Sequence, residues 1–255
     1  MDFTYRDYKD MLVLIKTRGG GYQFCSYHDY KNVENPCILR HDIDLDLQKA
    51  VCFAELEAGM GIKSTYFVLV NTNFYNVFSA QSRKLLGRIK ACGHEIGLHF
   101  DEMQYEICGN WELLCKKIGE EADMLSSILG SQVRVVSMHR PSKGLLEEDL
   151  KIPGLVNSYQ HIFFREFKYF SDSRMHWRED VVAGIDKEKN KKLHILTHPF
   201  WYGEEVGSLK SRLSEFINRA GKERYEWLDM NFRELGEVVR REEMVGEIVG
   251  NTFII

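Results

Sequence analysis

The stretch Leu39-Arg40-His41-Asp42-Ile43-Asp44 ends an apolar run, and Gly93-His94-Glu95-Ile96-Gly97-Leu98-His99 follows about fifty residues later. Side chains alternate along a strand, so Asp42 and Asp44 are predicted to lie on one face at a strand end. His99 ends a second strand and can join them if both strands lie in one sheet. Two carboxylates and an imidazole are what a hydrolytic metal site needs, as ligands and as a base. The two segments together predict an enzyme.

Apolar runs alternate with helical patterns along the whole chain, which is typical of parallel strands covered by helices. About seven strand candidates occur without a break in composition across the 255 residues. We therefore predict the α/β class and one domain over 1–255, a single distorted (β/α)7-type barrel with parallel strands and outer helices. The motif-bearing core spans about 37–202, with an N-terminal helix at 5–17 and C-terminal helices at 208–242 as additions.

Composition argues against several kinds of partner. The chain is 44% hydrophobic and 28% charged, as globular proteins are, and its net charge of −4 favours neither nucleic acid nor an anionic membrane surface. No stretch approaches the ~20 apolar residues of a transmembrane segment, and no secretory signal is evident. Six scattered cysteines without a Cys-x-x-Cys pair predict reduced thiols in a cytoplasmic protein.

Candidate functional groups fall at the ends of four predicted strands. Asp42 and Asp44 follow the first of these strands, His99 and His139 follow two later ones, and His198 follows the last. In α/β barrels the active site collects at the carboxyl ends of the strands. One His at a strand end is common by chance, but four such placements favour a shared site.

Two neighbouring residues have a more ordinary interpretation. His94 lies five residues before His99, roughly 16 Å along an extended strand, so the two cannot bind one metal. His94 also has the opposite parity, which predicts a structural histidine satisfied by the backbone. Asp46 is predicted to cap the helix that begins near Leu45.

Three later segments leave alternatives open. His139-Arg140-Pro141 can carry a third ligand and a guanidinium clamp, or it can be a Pro-closed loop with a solvated Arg. His198 stands beside three aromatic residues and can be a general acid, because its pKa is ordinarily near the working pH. Trp201 can stack on a sugar or simply cap the barrel core. The loop Asp172–Trp177 is solvated by default, although Asp172 can instead orient Arg140.

The motifs over about 38–201 resemble those of the polysaccharide deacetylase family, which is carbohydrate esterase family 4 with the chitooligosaccharide deacetylase homology domain. The first stretch is similar to the first family motif in its Asp-x-Asp version. That similarity implies Asp42 as the catalytic base and Asp44 as a metal ligand. The Gly-His-Glu-Ile-Gly-Leu-His stretch is close to the motif whose last His, here His99, binds the metal.

The later segments are similar to the remaining motifs. His139-Arg140-Pro141 resembles the third motif, which is built around Arg-Pro, and Asp172–Trp177 resembles the fourth, where an acid orients that Arg. Leu196-Thr197-His198 looks like the fifth motif, whose His protonates the leaving group. The resemblance therefore implies catalytic roles for Arg140, Asp172 and His198. It also implies substrate binding by Trp177 and Trp201.

One position departs from the family pattern. The family usually has a second metal-binding His four residues after the first, and here that position is Met103. A thioether is a poor ligand for a hard hydrolytic metal. We therefore expect His139 to complete the ligand set, with Asp101 and Glu102 as alternatives.

The resemblance implies a divalent metal, zinc first, with cobalt, nickel or iron as alternatives, on Asp44, His99 and His139. The predicted reaction is hydrolysis of a linear amide, the N-acyl group, in particular N-acetyl, of an amino sugar or a surface-polysaccharide precursor. The branch it resembles is associated with surface-polysaccharide biosynthesis, as of lipopolysaccharide or O-antigen. Alternatives are a deformylase or ureide hydrolase on the same fold, and an inactive barrel that binds carbohydrate or a protein.

Overall fold

The structure is a computed structural model, and it describes residues 1–18, 21–185 and 189–241. The chain divides into two compact units, Met1–Glu205 and a second that begins at Val206. The sheet and all the predicted site residues belong to the first unit. The extent of the domain over 1–255 stays a prediction.

The first unit is built on a parallel sheet that curls into an open barrel. Seven strands follow the order β6-β5-β4-β3-β2-β8-β7, all neighbours are parallel, and β1 pairs with the start of β2. The described strands are β1 (Gln23–Cys25), β2 (Pro36–Ile43), β3 (Thr65–Leu69), β4 (Glu95–Asp101), β5 (Val135–His139), β6 (Val156–Asn157), β7 (Lys168–Ser171) and β8 (Leu193–Thr197). No pairing joins β6 to β7 within the described residues. The predicted α/β class with parallel strands is confirmed.

Helices surround this sheet. In the first unit they are α1 (Tyr5–Thr17), α2 (Leu47–Gly59), α3 (Ala80–Ala91), α4 (Trp111–Leu129), α5 (Lys143–Glu147), α6 (Ile162–Arg165) and α7 (Val181–Gly184). Asp46 caps α2 as predicted, because its carboxylate accepts hydrogen bonds from the backbone N–H groups of Gln48 and Lys49. The predicted helix at 5–17 is confirmed. Among the described residues, no helix has both the length and the apolar character needed to cross a bilayer.

The second unit contributes only helices to the described part of the chain. They are α8 (Leu209–Asp229) and α9 (Leu235–Val238). The hydroxyl of Tyr225 on α8 donates a hydrogen bond of 3.0 Å to the carbonyl of Val239, just past α9. The predicted C-terminal helices at 208–242 are therefore present, although α9 is shorter than expected and residue 242 lies outside the described residues.

Strand β2 runs through the middle of the sheet and is buried along its whole length. Leu39 and Ile43 face outward and pack in the main core against the helices. Ile38 faces inward and packs with Phe67 and Val135 in a second, smaller core inside the barrel. Alternation therefore turns every second side chain of β2 toward the barrel interior.

Two glycines explain why the segment before His99 has its sequence. Gly93 has a φ of +83°, a conformation that favours glycine at the turn into β4. A Cβ added to Gly97 would lie 2.7 Å from the ring of Phe67 and 2.8 Å from the side chain of Val135. The inward face of β4 therefore has no room for a larger residue two positions before His99.

Candidate active site

Three predicted ligands come together at the carboxyl ends of the strands. Oδ1 of Asp44 lies 3.2 Å from Nε2 of His99 and 3.5 Å from Nδ1 of His139. The two imidazole nitrogens are 3.2 Å apart. Among the described residues these three side chains form a group that could hold a metal ion, with one ligand atom from each within 4.8 Å of the others.

The polar atoms of this cluster face one another. Nδ1 of His99 lies 3.3 Å from the carbonyl oxygen of Ser137, so the proton of a neutral ring is assigned to that nitrogen. Nε2 of the same ring faces Asp44 and His139. Oδ1 of Asp44 is buried and has no hydrogen-bond partner.

This donor set fits a divalent metal. A carboxylate and two imidazoles are common ligands of zinc and related ions. Burial raises the pKa of Asp44, but the adjacent imidazoles of His139 and His99 reverse this effect and hold the pKa well below its usual range. Burial lowers the pKa of His139, and the Asp44 carboxylate more than compensates, so the net shift is upward. A bound cation would neutralise the Asp44 carboxylate in place of the protonated His139 imidazole.

Asp42 lies beside this cluster and is held by a residue that the motifs do not single out. Its Oδ2 accepts a hydrogen bond of 2.7 Å from the guanidinium of Arg40 and lies 3.6 Å from Nε2 of His99. Its Oδ1 is buried without a hydrogen-bond partner. Burial raises the pKa of Asp42, but the Arg40 guanidinium and the imidazoles of His99 and His198 together outweigh that effect, so the pKa is lowered overall and the group is ionised.

His198 and Asp172 form a pair on the other side of Asp44. Nδ1 of His198 lies 2.6 Å from Oδ1 of Asp172, whose carboxylate also accepts the backbone N–H of His198. Nε2 of His198 lies 3.8 Å from Oδ2 of Asp44. Burial lowers the pKa of His198, but the carboxylate of Asp172 reverses this and raises it to about 9. The imidazole is therefore protonated at neutral pH and directs Nε2 toward the cluster.

Arg140 differs from its predicted contacts. We expected Asp172 to orient it, but Asp172 is occupied by His198, and the Arg140 guanidinium donates to Asp101 instead. Arg140 has a φ of +51°, and its side chain is 58% exposed. The chain turns outward directly after His139, which carries the guanidinium away from Asp42.

The position that departs from the family pattern lies outside the cluster of Asp44, His99 and His139. Met103 is 68% exposed and lines a groove with Tyr105 and Trp111. Asp101 is engaged with Arg140, and Glu102 accepts the backbone N–H of Ser142. Of the three alternatives considered for the third ligand, the structure brings His139 to the cluster.

The two predicted substrate-binding tryptophans are both partly buried. The ring centroid of Trp201 lies 6.3 Å from that of His198. Trp177 packs against the main core, and its indole Nε1 is buried with no hydrogen-bond partner. Trp201 therefore borders the site directly, whereas the described contacts of Trp177 are with the core.

Arg40 is the site residue that sequence reasoning missed. The signal was present, because an arginine in an otherwise apolar strand needs an acidic partner and Asp42 lies two residues later on the same face. The structure has that contact, and Arg40 is fully buried.

No family model and no curated protein matches the chain. Several solved structures match the chain. A family 4 carbohydrate esterase from Bacillus anthracis is 16% identical, with 84% of this chain and 86% of that chain covered and a TM-score of 0.43. The chitin deacetylase from Colletotrichum lindemuthianum is 14% identical, with 73% and 82% covered and a TM-score of 0.41. A CE4 family pseudoenzyme from Bacillus anthracis is 10% identical, with 72% and 60% covered and a TM-score of 0.40.

The three matched structures are all at most 16% identical to this chain. They include both esterases and a pseudoenzyme, and their TM-scores stay below 0.5, so they establish neither an activity nor a metal for this chain. The chemistry has to come from the side chains of the site itself.

Proposed function

We propose that the chain is a metal-dependent hydrolase that removes an N-acyl group, in particular N-acetyl, from an amino sugar. The observation that carries this proposal is the cluster of Asp44, His99 and His139, flanked by an ionised carboxylate on one side and a protonated imidazole on the other. A site with ligands, a base and an acid in this arrangement can cleave an amide with water.

Asp44, His99 and His139 would hold the metal, with zinc as the first candidate and cobalt, nickel or iron as alternatives. When bound, such an ion polarises a carbonyl oxygen and lowers the pKa of an adjacent water toward about 7. Three protein ligands leave a position open, as catalytic zinc sites do. His139 supplies the ligand that Met103 lacks, so the Met substitution does not remove the site.

Asp42 is the proton acceptor in this proposal. Its Oδ2 is bound to Arg40, and its Oδ1 has no hydrogen-bond partner, so Oδ1 is the atom free to take a proton from water. The water oxygen adds to the acyl carbon while that proton is transferred. Acid–base assistance of this kind contributes about a hundred- to ten-thousandfold to the rate.

His198 is the proton donor to the departing nitrogen. An amine leaves readily only when it is protonated, and His198 carries a proton at neutral pH because Asp172 stabilises the charged ring. The Asp172 carboxylate also fixes the ring, since it binds both Nδ1 and the backbone N–H of His198. The C–N bond breaks to give a carboxylic acid and an amino sugar.

The substrate is argued from one further feature. Trp201 lies beside His198 at the edge of the site, where an indole can stack on a sugar ring. Trp177 is the second proposed sugar contact. A surface-polysaccharide precursor, such as one for lipopolysaccharide or O-antigen, and a cytoplasmic location complete the proposal.

Metal content tests the proposal first. The purified full chain, loaded with Zn²⁺, Co²⁺, Ni²⁺ or Fe²⁺ and dialysed, should retain about one equivalent, and Asp44→Asn should retain much less. Glu106→Gln, which alters an exposed carboxylate in the loop after β4, is the matched control. Elemental analysis measures both. Equal metal in Asp44→Asn and the wild type would contradict the ligand set.

Release of acyl groups tests the reaction. The metal-loaded chain should liberate acetate from N-acetylated oligosaccharides, and a parallel assay with N-formyl sugars separates deacetylation from deformylation. One methyl group changes binding by only about 1–3 kcal/mol, so the ratio of the two rates is the informative quantity. Binding of the sugars with retained metal and no acid release would favour a carbohydrate-binding module.

A further inference from the structure

The guanidinium of Arg40 is fixed from two directions inside the barrel. Its Nη2 donates 2.7 Å to Oδ2 of Asp42, and its Nη1 donates 2.9 Å to the hydroxyl of Ser158. Ser158 is itself fully buried and anchored, because its backbone N–H donates to the carbonyl of Val136 on β5. The guanidinium therefore links the carboxylate to a rigid part of the sheet.

Aromatic rings limit the movement of the same group. The guanidinium carbon lies 5.2 Å from the ring centroid of Phe67 and 5.3 Å from that of Tyr159. Contacts of this kind are attractive when the cation is desolvated, and Arg40 has no exposed surface. The planar fork is thus held in one orientation, which a flexible ammonium would not reproduce.

Contact with Arg40 makes the two oxygens of Asp42 different. Oδ2 is engaged by the guanidinium, whereas Oδ1 is buried and has no hydrogen-bond partner. The carboxylate cannot rotate without giving up its charge-assisted hydrogen bond. One oxygen is therefore presented for chemistry while the other serves as the anchor.

We propose that Arg40 is the positioning residue for Asp42. This proposal rests on the proposed function, because it takes Asp42 as the proton acceptor. Arg140 is mostly exposed and pairs with Asp101, so it is not placed to hold Asp42. Here the arginine that orients the carboxylate comes from the same strand, two residues earlier.

Three matched substitutions test the proposal on metal-loaded protein. Arg40→Lys keeps the charge but loses the fork, so kcat is expected to fall about 10- to 100-fold while KM and metal content stay near wild type. Arg140→Lys should lower kcat by much less. Arg134→Lys, at an exposed arginine just before β5, should match the wild type. An equal loss of kcat in Arg40→Lys and Arg140→Lys would overturn the proposal, as would loss of metal in Arg40→Lys.

A double-mutant cycle separates positioning from general support of the fold. If Arg40 acts through Asp42, adding Arg40→Lys to Asp42→Asn should not lower kcat further. A further fall of the size seen in the Arg40→Lys single variant would mean that Arg40 acts independently of Asp42. Where Arg40→Lys fails to fold, Ser158→Ala replaces it, since this variant removes only the Nη1 anchor; it should lower kcat a few-fold at unchanged KM, and an unchanged kcat would count against the proposal.

Crystal structures supply a readout that needs no activity. The Asp42 carboxylate should rotate away from its wild-type orientation in Arg40→Met and keep it in Arg140→Met. An unmoved Asp42 in Arg40→Met would overturn the positioning role whatever the enzyme does. Absence of hydrolysis by the wild type would overturn only the proposed function, since the orientation of Asp42 is judged separately.

Discussion

Two buried clusters of carboxylates and imidazoles lie on opposite faces of β2. The inward cluster contains Asp42 and extends to Asp44 and His99. The outward cluster joins His41, the residue between Arg40 and Asp42, to Glu57 on α2 at 2.8 Å. The two clusters use the same kinds of side chain, so residue type alone does not separate them.

The clusters differ in how their carboxylates are satisfied. One oxygen of Glu57 accepts a hydrogen bond from the hydroxyl of Tyr8, and the other accepts from Ser64 at 2.6 Å and Tyr66 at 2.9 Å. His94 joins this network at Ser64 and also contacts the carbonyl of Ala54, as its predicted structural role requires. A carboxylate so fully bonded has no oxygen left for a ligand.

The inward cluster keeps unsatisfied atoms instead. Oδ1 of Asp42 and Oδ1 of Asp44 are both buried without hydrogen-bond partners. Orphaned buried oxygens are costly, and they mark a place where a ligand or reacting group is expected. The comparison teaches that the unmet hydrogen-bonding capacity of its carboxylate oxygens distinguishes the proposed functional face of β2 from its structural face.

The largest expected effect is on catalysis at the inward face. Asp42→Asn removes the proton acceptor but not a metal ligand, so kcat should fall by about 10³- to 10⁴-fold while metal content is unchanged. Steady-state acid release and elemental analysis measure the two quantities. Loss of metal together with activity would show that Asp42 serves as a ligand. The proposed division of its oxygens into an anchor, Oδ2, and a proton acceptor, Oδ1, would then be wrong.

The corresponding change at the outward face should affect stability. Glu57→Gln leaves His41 buried without a charged partner and should lower the free energy of unfolding by about 3–5 kcal/mol, with metal binding retained. Chemical denaturation measures this loss. Glu55→Gln is the matched control on α2, because its partner Arg88 lies at the surface. A stable Glu57→Gln variant with impaired metal binding would reverse the assignment of the two faces.

The pH dependence of the free energy of unfolding also tests the structural role of Glu57. Burial raises the pKa of Glu57, but His41 and its other partners lower it overall from 4.5 to about 2. The resulting stabilisation is present above about pH 4.5 and is lost as the pH falls toward 2. Unfolding free energies measured between these values should decline in the wild type and decline less in Glu57→Gln. If the unfolding free energies of the wild type and Glu57→Gln fall in parallel with pH, Glu57 is not the source of the acid-dependent loss.

A smaller loss is expected at the proton donor. His198→Gln should lower kcat about a hundredfold on a sugar amide, because the departing nitrogen must then take its proton from water. An activated ester of the same acyl group has a better leaving group and should lose much less. His176→Gln, at an exposed histidine, is the control. Equal losses on amide and ester would contradict the assignment of His198 as the acid.

The smallest expected effect is a shift of the alkaline limb of the kcat profile to lower pH. Asp172 raises the pKa of His198, and the protonated form is the active one, so activity should decline on the alkaline side as the pH passes about 9. Asp172→Asn lowers that pKa and should move the alkaline limb of the kcat profile to lower pH. Asp123→Asn, an exposed change on α4, should leave the limb in place. An unmoved limb in Asp172→Asn would show that another group controls it.

Sequence by itself determined the strand-based part of this protein. The parallel α/β sheet, the shared face of Asp42 and Asp44, and the opposite face of His94 all follow from local periodicity. These features depend only on alternation along one strand and on the rule that parallel strands end at the same edge. They needed no knowledge of the contacts between distant residues.

Tertiary structure decided which side chains meet at that edge. Asp172 was expected at Arg140 but binds His198, because β7 pairs with β8 whereas the chain at Arg140 turns outward after β5. The same geometry brought His139 to Asp44 and His99. Contacts across strands depend on register and on where each loop leaves the sheet, and neither is encoded in the local pattern that predicts the strands.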